Sequence, residues 1–82
     1  MNRENIEQIV TTFLIEELET ELSTIRPDAL LKDDLGIDSL DFVDIVVLVE
    51  RNFGFKIKPE DMAGVNTLAD FYAYIESRLA AK

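Results

Sequence analysis

Ile6, Ile9, Val10, Phe13 and Leu14 recur at three- and four-residue steps, and Leu18 lies one turn further on. At 3.6 residues per turn those positions share one side of a helix. The spacing predicts a first helix over about 3–18, with Glu7, Glu16 and Glu17 turned to solvent. Phe42, Ile45, Val46, Val49 and Phe53 repeat the pattern and predict a second helix. It begins at Asp38 or Ser39, either of which suits a cap, and ends at Asn52 or Phe53, before Gly54. Its β-branched residues are stiff and poor helix formers, so packing has to hold it. Length and spacing favour a helix over a strand there. Leu68, Phe71, Tyr72, Ile75 and Leu79 make the last stripe, and Thr67 and Asp70 stand at the spacing of a capping box. Before it, Pro59 followed by Glu60 and Asp61 suits a short helix over roughly 60–64.

Residues 19–38 form a long connection that contains Pro27 and Gly36. A connection of that length is unusual in a compact domain unless something pins it. Ile25, Leu30, Leu31, Leu35 and Ile37 are spaced to do so, and Pro27 suggests a helical turn over 28–31. The expected fold is all-α, a small bundle of three main helices and one short one. A long loop separates the first two.

Composition narrows the picture. Eighty-two residues make one expected domain, 1–82, with one thin core and no room for a deep catalytic cleft. No apolar run approaches the eighteen or so residues of a membrane span. Met1 to Glu7 is polar and acidic, unlike a secretory signal, so the expectation is a cytoplasmic monomer. The chain has no cysteine and no histidine. Disulfides, thiolate zinc sites, a Cys nucleophile and a Ser-His-Asp triad are therefore excluded. Thiol chemistry would need a thiol brought by a cofactor. The net charge of −9, from 17 acids against 8 bases, argues against nucleic acid as a partner and points to basic protein patches.

The most informative segment is Asp33-Asp34-Leu35-Gly36-Ile37-Asp38-Ser39-Leu40-Asp41. As a calcium loop it fails: counting from Asp33, the third ligand position is Leu35 and glycine falls fourth instead of sixth. Gly36 permits a tight turn, and Ser39 stands where loop becomes helix. A helix start offers free N–H groups and a positive partial charge, both favourable to a phosphodiester. Asp38 is placed to orient an incoming enzyme or to help hold a metal ion during transfer. A lone Asp-Ser-Leu is more often an ordinary cap, so the opposite face of the second helix matters. There Leu40, Val43 and Val47, with Leu48, stand among Asp41, Asp44 and Glu50. An apolar strip rimmed by acids beside a modifiable serine has the make-up of a docking surface.

Over nearly its whole length the chain resembles the acyl carrier protein family. The matching pieces are Ile6-Glu7, Leu18, Asp34-Leu35-Gly36, Asp38-Ser39-Leu40-Asp41, Val43, Phe53, Ile57-Lys58-Pro59, Glu60 and Tyr74-Ile75. The resemblance implies that Ser39 receives 4′-phosphopantetheine from coenzyme A through a phosphopantetheinyl transferase. It also implies a non-catalytic carrier of acyl thioesters in fatty-acid, polyketide or specialised lipid synthesis. Acyl-activating, ketosynthase and acyltransferase enzymes would read the acids of the second helix through basic patches. Leu31, Val49, Met62, Val65 and Phe71 stand at positions equivalent to the lining of the family's acyl pocket, although core packing would explain each of them. An aminoacyl or peptidyl carrier, and an unmodified helical interaction module, stay open as alternatives.

Two features depart from the fatty-acid carriers that the chain resembles. Residues 51–59 contain Arg51, Lys56 and Lys58 and no acid, where similar carriers are acidic. That change points to a different set of partners. Phe71 and Tyr72 stand where smaller or aliphatic residues are common, and their ring volume implies limited capacity for long saturated chains.

Overall fold

The apolar stripes meet as three helices: α1 (Arg3–Leu18), α2 (Ser39–Phe53) and α3 (Leu68–Ala80). The computed structural model of the chain describes residues 2–80. Both α2 and α3 pack against α1. Ile6, Val10 and Leu14 of α1, Val49 of α2, and Leu68 and Ile75 of α3 lose all or nearly all contact with water. Each such side chain contributes about 1.5–3 kcal/mol through burial. Among the described residues no polar side chain is buried. Nor is any helix there long and apolar enough to cross a membrane.

The helix ends follow from local chemistry. Asn2 caps α1 by accepting the Asn5 N–H at 2.8 Å. The chain leaves α1 through Glu19 in the left-handed region at φ 55°. There the amides of Glu19 and Thr20 converge on the Leu14 carbonyl. Gly54, at φ 82°, closes α2 with its N–H on the Glu50 carbonyl. The short helix expected near 60–64 forms as a 3-10 helix, Pro59–Gly64.

The connection from α1 to α2 departs from the expected pattern. It has a 3-10 turn at Leu22–Thr24, and the helical turn expected over 28–31 does not form. Pro27 instead sits in a turn closed by the Ala29 N–H on the Arg26 carbonyl at 3.0 Å. Leu30 then pairs with Thr67 in an isolated antiparallel bridge.

The reason lies at the start of α3, whose first amides have no partner within the helix. The Leu68 N–H donates to the Ala29 carbonyl at 2.9 Å, and the Ala69 N–H donates to the Pro27 carbonyl at 2.8 Å. The Asp70 N–H donates to Thr67 Oγ1 at 3.2 Å, and the Phe71 N–H to the Thr67 carbonyl. All four amides of the first turn are thus satisfied. Two of them need the 27–29 backbone outside a helix. The expected capping box is complete, because Asp70 Oδ2 accepts the N–H groups of Thr67 and Asn66 at 3.2 Å each.

Within α2, Leu48 was expected on the exposed strip but is only 7% exposed and belongs to the core. Phe42 and Val46, expected in the core stripe, are half-buried beside it.

The Thr67 and Asn66 amides hold the Asp70 carboxyl below its ordinary value of 3.8. A lowered folded-state value means stability that is present above the unfolded value and lost as pH falls through the folded one. Urea midpoints measured downward from about pH 5 are expected to fall, and Asp70→Asn is expected to flatten the part of that fall below the ordinary carboxylate value. Parallel curves for the two proteins would show that this cap carries no acid sensitivity.

Candidate functional site at the start of α2

Ser39 is the first residue of α2, and its position is set by the turn that precedes it. Leu30 anchors this turn: its N–H donates to Asp34 Oδ2 at 2.8 Å, and its carbonyl accepts the amides of Asp34 and Leu35 at 2.9 and 3.0 Å. Gly36 then takes φ 69°, which brings the Ile37 N–H back onto the Leu31 carbonyl at 3.0 Å. A side chain on Gly36 would meet nothing within 4 Å. Glycine is therefore required for its backbone conformation and not for space.

Asp38 is the cap of α2. Its backbone is extended, and its Oδ1 accepts the amides of Leu40 and Asp41 at 2.9 and 3.0 Å. Asp41 Oδ2 answers by accepting the Asp38 N–H at 3.4 Å, which completes a capping box. The Asp38 carboxylate therefore has a structural task, and the exposed Ser39 hydroxyl stands outside the cap. The helix start places positive partial charge beside that hydroxyl.

A half-open cavity of about 530 Å³ includes Ser39 and Asp38 in its lining. Its apolar wall comes from Leu31 and Ile37 of the connection, Phe42 of α2, and Met62 and Val65 of the α2–α3 segment; Lys32 and Asn66 add polar groups. A second hollow of about 390 Å³ lies between α1 and α2 and has Glu16, Glu17 and Arg51 in its wall. It contains none of the residues around Ser39.

The 3-10 helix that carries Met62 is tied to α3. The Tyr74 hydroxyl donates to Asp61 Oδ2 at 3.0 Å. Arg78 Nη1 donates to the same oxygen at 3.4 Å and to the Tyr74 hydroxyl at 3.1 Å. The Arg78 guanidinium lies 5.0 Å from the centre of the Phe55 ring. Burial, followed by the bond to Asp61, pushes the Tyr74 hydroxyl above its ordinary value.

The family model for a phosphopantetheine attachment site matches residues 8–75. An acyl carrier protein of Thermotoga maritima is 40% identical over 78 residues, covering 95% of this chain and 96% of its own. One from Akkermansia muciniphila is 36% identical over 76 residues, covering 93% and 95%. The chain belongs to the acyl carrier protein family. Phosphopantetheine is accordingly its cofactor. The site fits such a group, since an exposed hydroxyl outside the cap, a helix start and the nearby Lys32 all suit a phosphodiester.

The other residues singled out for the site divide into two groups. On the exposed face of α2, Leu40 is 78% exposed, Val43 60% and Val47 48%. Asp44 and Glu50 are exposed beside them, whereas Asp41 is half-buried in its capping box. Leu31, Met62 and Val65 line the cavity beside Ser39. Val49 and Phe71, expected in the same lining, lie in the central core instead, at 0% and 2% exposure. Ile37 and Phe42 were not among the expected lining residues. Phe42 follows Ser39 by three residues, a spacing that puts the two on one helix face and was available as a signal.

The division of tasks between Asp38 and Ser39 is measurable. Asp38→Ala is expected to cost about 0.5–2 kcal/mol in urea unfolding, and Ser39→Ala to change stability by less than about 0.5 kcal/mol. The reverse ranking would assign the cap to the serine.

Proposed function

We propose that this chain carries acyl intermediates as thioesters on a 4′-phosphopantetheine arm joined to Ser39, in fatty-acid, polyketide or specialised lipid synthesis. The observation that carries this reading is the Ser39 hydroxyl, exposed at the first position of α2 and left outside the cap by Asp38. Ser39 Oγ bonds to phosphorus with loss of its proton, and the nucleotide half of coenzyme A leaves. A phosphopantetheinyl transferase supplies the base for that step. When bound, the arm supplies the thiol that the chain itself lacks. The chain's own residues hold the attachment point, shelter the cargo and present a surface to partners.

The protein performs no step on its cargo. Tethering raises the effective concentration of the acyl group at each partner enzyme, and weak docking permits release. Leu40, Val43 and Val47, with Asp44 and Glu50 beside them, suit a partner that offers an apolar patch ringed by cations. Transferase, acyl-activating, ketosynthase and acyltransferase enzymes are the partners of this reading. Arg51 is exposed in the last turn of α2 and adds a positive end to the acidic strip. A partner matched to this carrier then presents an acceptor at that end. Leu31, Met62 and Val65 form the wall against which the acyl chain rests. The carrier acts as a cytoplasmic monomer.

Incubation with coenzyme A and a broad-specificity transferase is expected to add one arm per chain by intact mass. Ser39→Ala is expected to add none. No addition to the unaltered chain would leave the interaction-module alternative in place. Loading of the armed protein by an amino-acid-activating enzyme, with none by an acyl-activating enzyme, would favour the aminoacyl or peptidyl branch.

Docking has its own readout. Asp44→Lys with Glu50→Lys is expected to lower kcat/KM of arm transfer by about tenfold at low salt, with the gap closing as salt rises. An unchanged rate at all salt concentrations would remove the acids of α2 from transferase recognition.

A further inference from the structure

Between Ile57 and Leu68, both buried, no residue of the α2–α3 segment is buried. The segment nevertheless supplies Met62 and Val65 to the cavity beside Ser39. Its C-terminal end is tied down by the Leu31 N–H on the Asn66 carbonyl and by the amides of Asn66 and Thr67 on Asp70. The 3-10 helix itself has internal bonds, Asp61 N–H to the Lys58 carbonyl and Val65 N–H to the Met62 carbonyl, which do not fix it to the bundle. Met62 and Val65 pack only partly buried against the core, and Asp61 adds the polar tie: its Oδ2 receives both Tyr74 and Arg78, one helical turn apart on α3. Arg78 is held against Phe55, and the Tyr74 ring meets Phe55 edge-on at 6.1 Å. The donors are thereby held by contacts that do not involve Asp61.

We propose that Asp61, Tyr74 and Arg78 form a latch that holds the 3-10 helix against α3 and so sets how far the cavity beside Ser39 opens. The three are positioning residues, acting on the cargo through Met62 and Val65. The consequence for cargo rests on the acyl-carrier reading; the latch itself does not. A wall that is only partly buried moves more easily than the α1–α3 core. One carboxylate shared by two donors is the restraint whose loss frees it.

Amide hydrogen exchange of the protein without its arm tests the latch directly. Asp61→Ala is expected to speed exchange at positions 61 and 65 by about tenfold or more, with the amides of Val10, Val49 and Ile75 unchanged. Tyr74→Phe, which removes only the hydroxyl, is expected to do the same to a smaller degree and to add little on top of Asp61→Ala. Unchanged exchange at positions 61 and 65, or equal acceleration in the core, would overturn the latch. The second readout is cleavage by hydroxylamine of the thioester on the armed protein. Asp61→Ala is expected to speed release of an octanoyl group several-fold and to leave release of an acetyl group unchanged. Faster exchange with octanoyl cleavage at the unaltered rate would overturn control of the cavity by the latch. Attachment of the arm to Ser39 is decided separately, by the mass measurement.

Discussion

The start of α3 has three backbone amides, those of Leu68, Ala69 and Asp70, that no helical carbonyl can reach, and much of the structure is arranged around them. Two are satisfied by Pro27 and Ala29, carbonyls of a connection that has no long element of its own. This exchange anchors the connection to α3 where a loop would otherwise lose entropy for little return. From that anchor the chain turns at Leu30 and folds back through Asp34 and Gly36. It thus delivers Asp38 to cap α2, so the position of Ser39 derives in part from the needs of a different helix. Leu31 and Ile37 are carried along by the same turn, which is why they stand beside Ser39 as cavity wall.

The helices were legible because burial on one side imposes a period, and that period survives in Ile6, Val10 and Leu14 or in Leu68, Phe71 and Ile75 without knowledge of partners. The capping box of Thr67 and Asp70 was legible for the same local reason. What periodicity could not decide was the edge of a stripe. Leu48 lies between the core residue Val49 and the exposed Val47, and only the placement of α1 determines which side it joins. Phe42 sits at the other edge, half-buried, beside the cavity it shares with Leu31 and Ile37 of the connection and Met62 of the 3-10 helix. The missing turn at 28–31 is a case of tertiary demand over local preference. Pro27 accepts a helix start, but the α3 amides require its carbonyl elsewhere. The Ser39 segment was legible as a pattern, yet a sequence cannot say which of two neighbouring oxygens caps a helix. Geometry assigns that to Asp38.

That assignment also changes how the acidity of the chain is understood. Asp34, Asp38, Asp41 and Asp70 each accept backbone amides, so these acids hold loop and helix starts in place as well as contributing surface charge. Such charge-assisted bonds are stronger than neutral ones and define local geometry. On α2 itself the exposed acids are Asp44 and Glu50. A surface that sets those acids beside Arg51 at the end of α2 is more selective than a uniformly acidic one, since each wrong placement sets like charges together.

The rings of Phe71 and Tyr72 bear on cargo in the same physical way. Both are buried, and with Val49 and Ile75 they fill the space where the three helices meet. A close-packed interior admits a new chain only by displacing what is there. On the acyl-carrier reading, a chain leaving Ser39 meets Phe42, Met62 and Val65 before it meets that core, and the wall it can move is the one with no buried residue. Under the proposed latch, a chain too long for the open cavity would depend on displacement of the 3-10 helix, so the length sheltered would follow how firmly Asp61 is held by Tyr74 and Arg78.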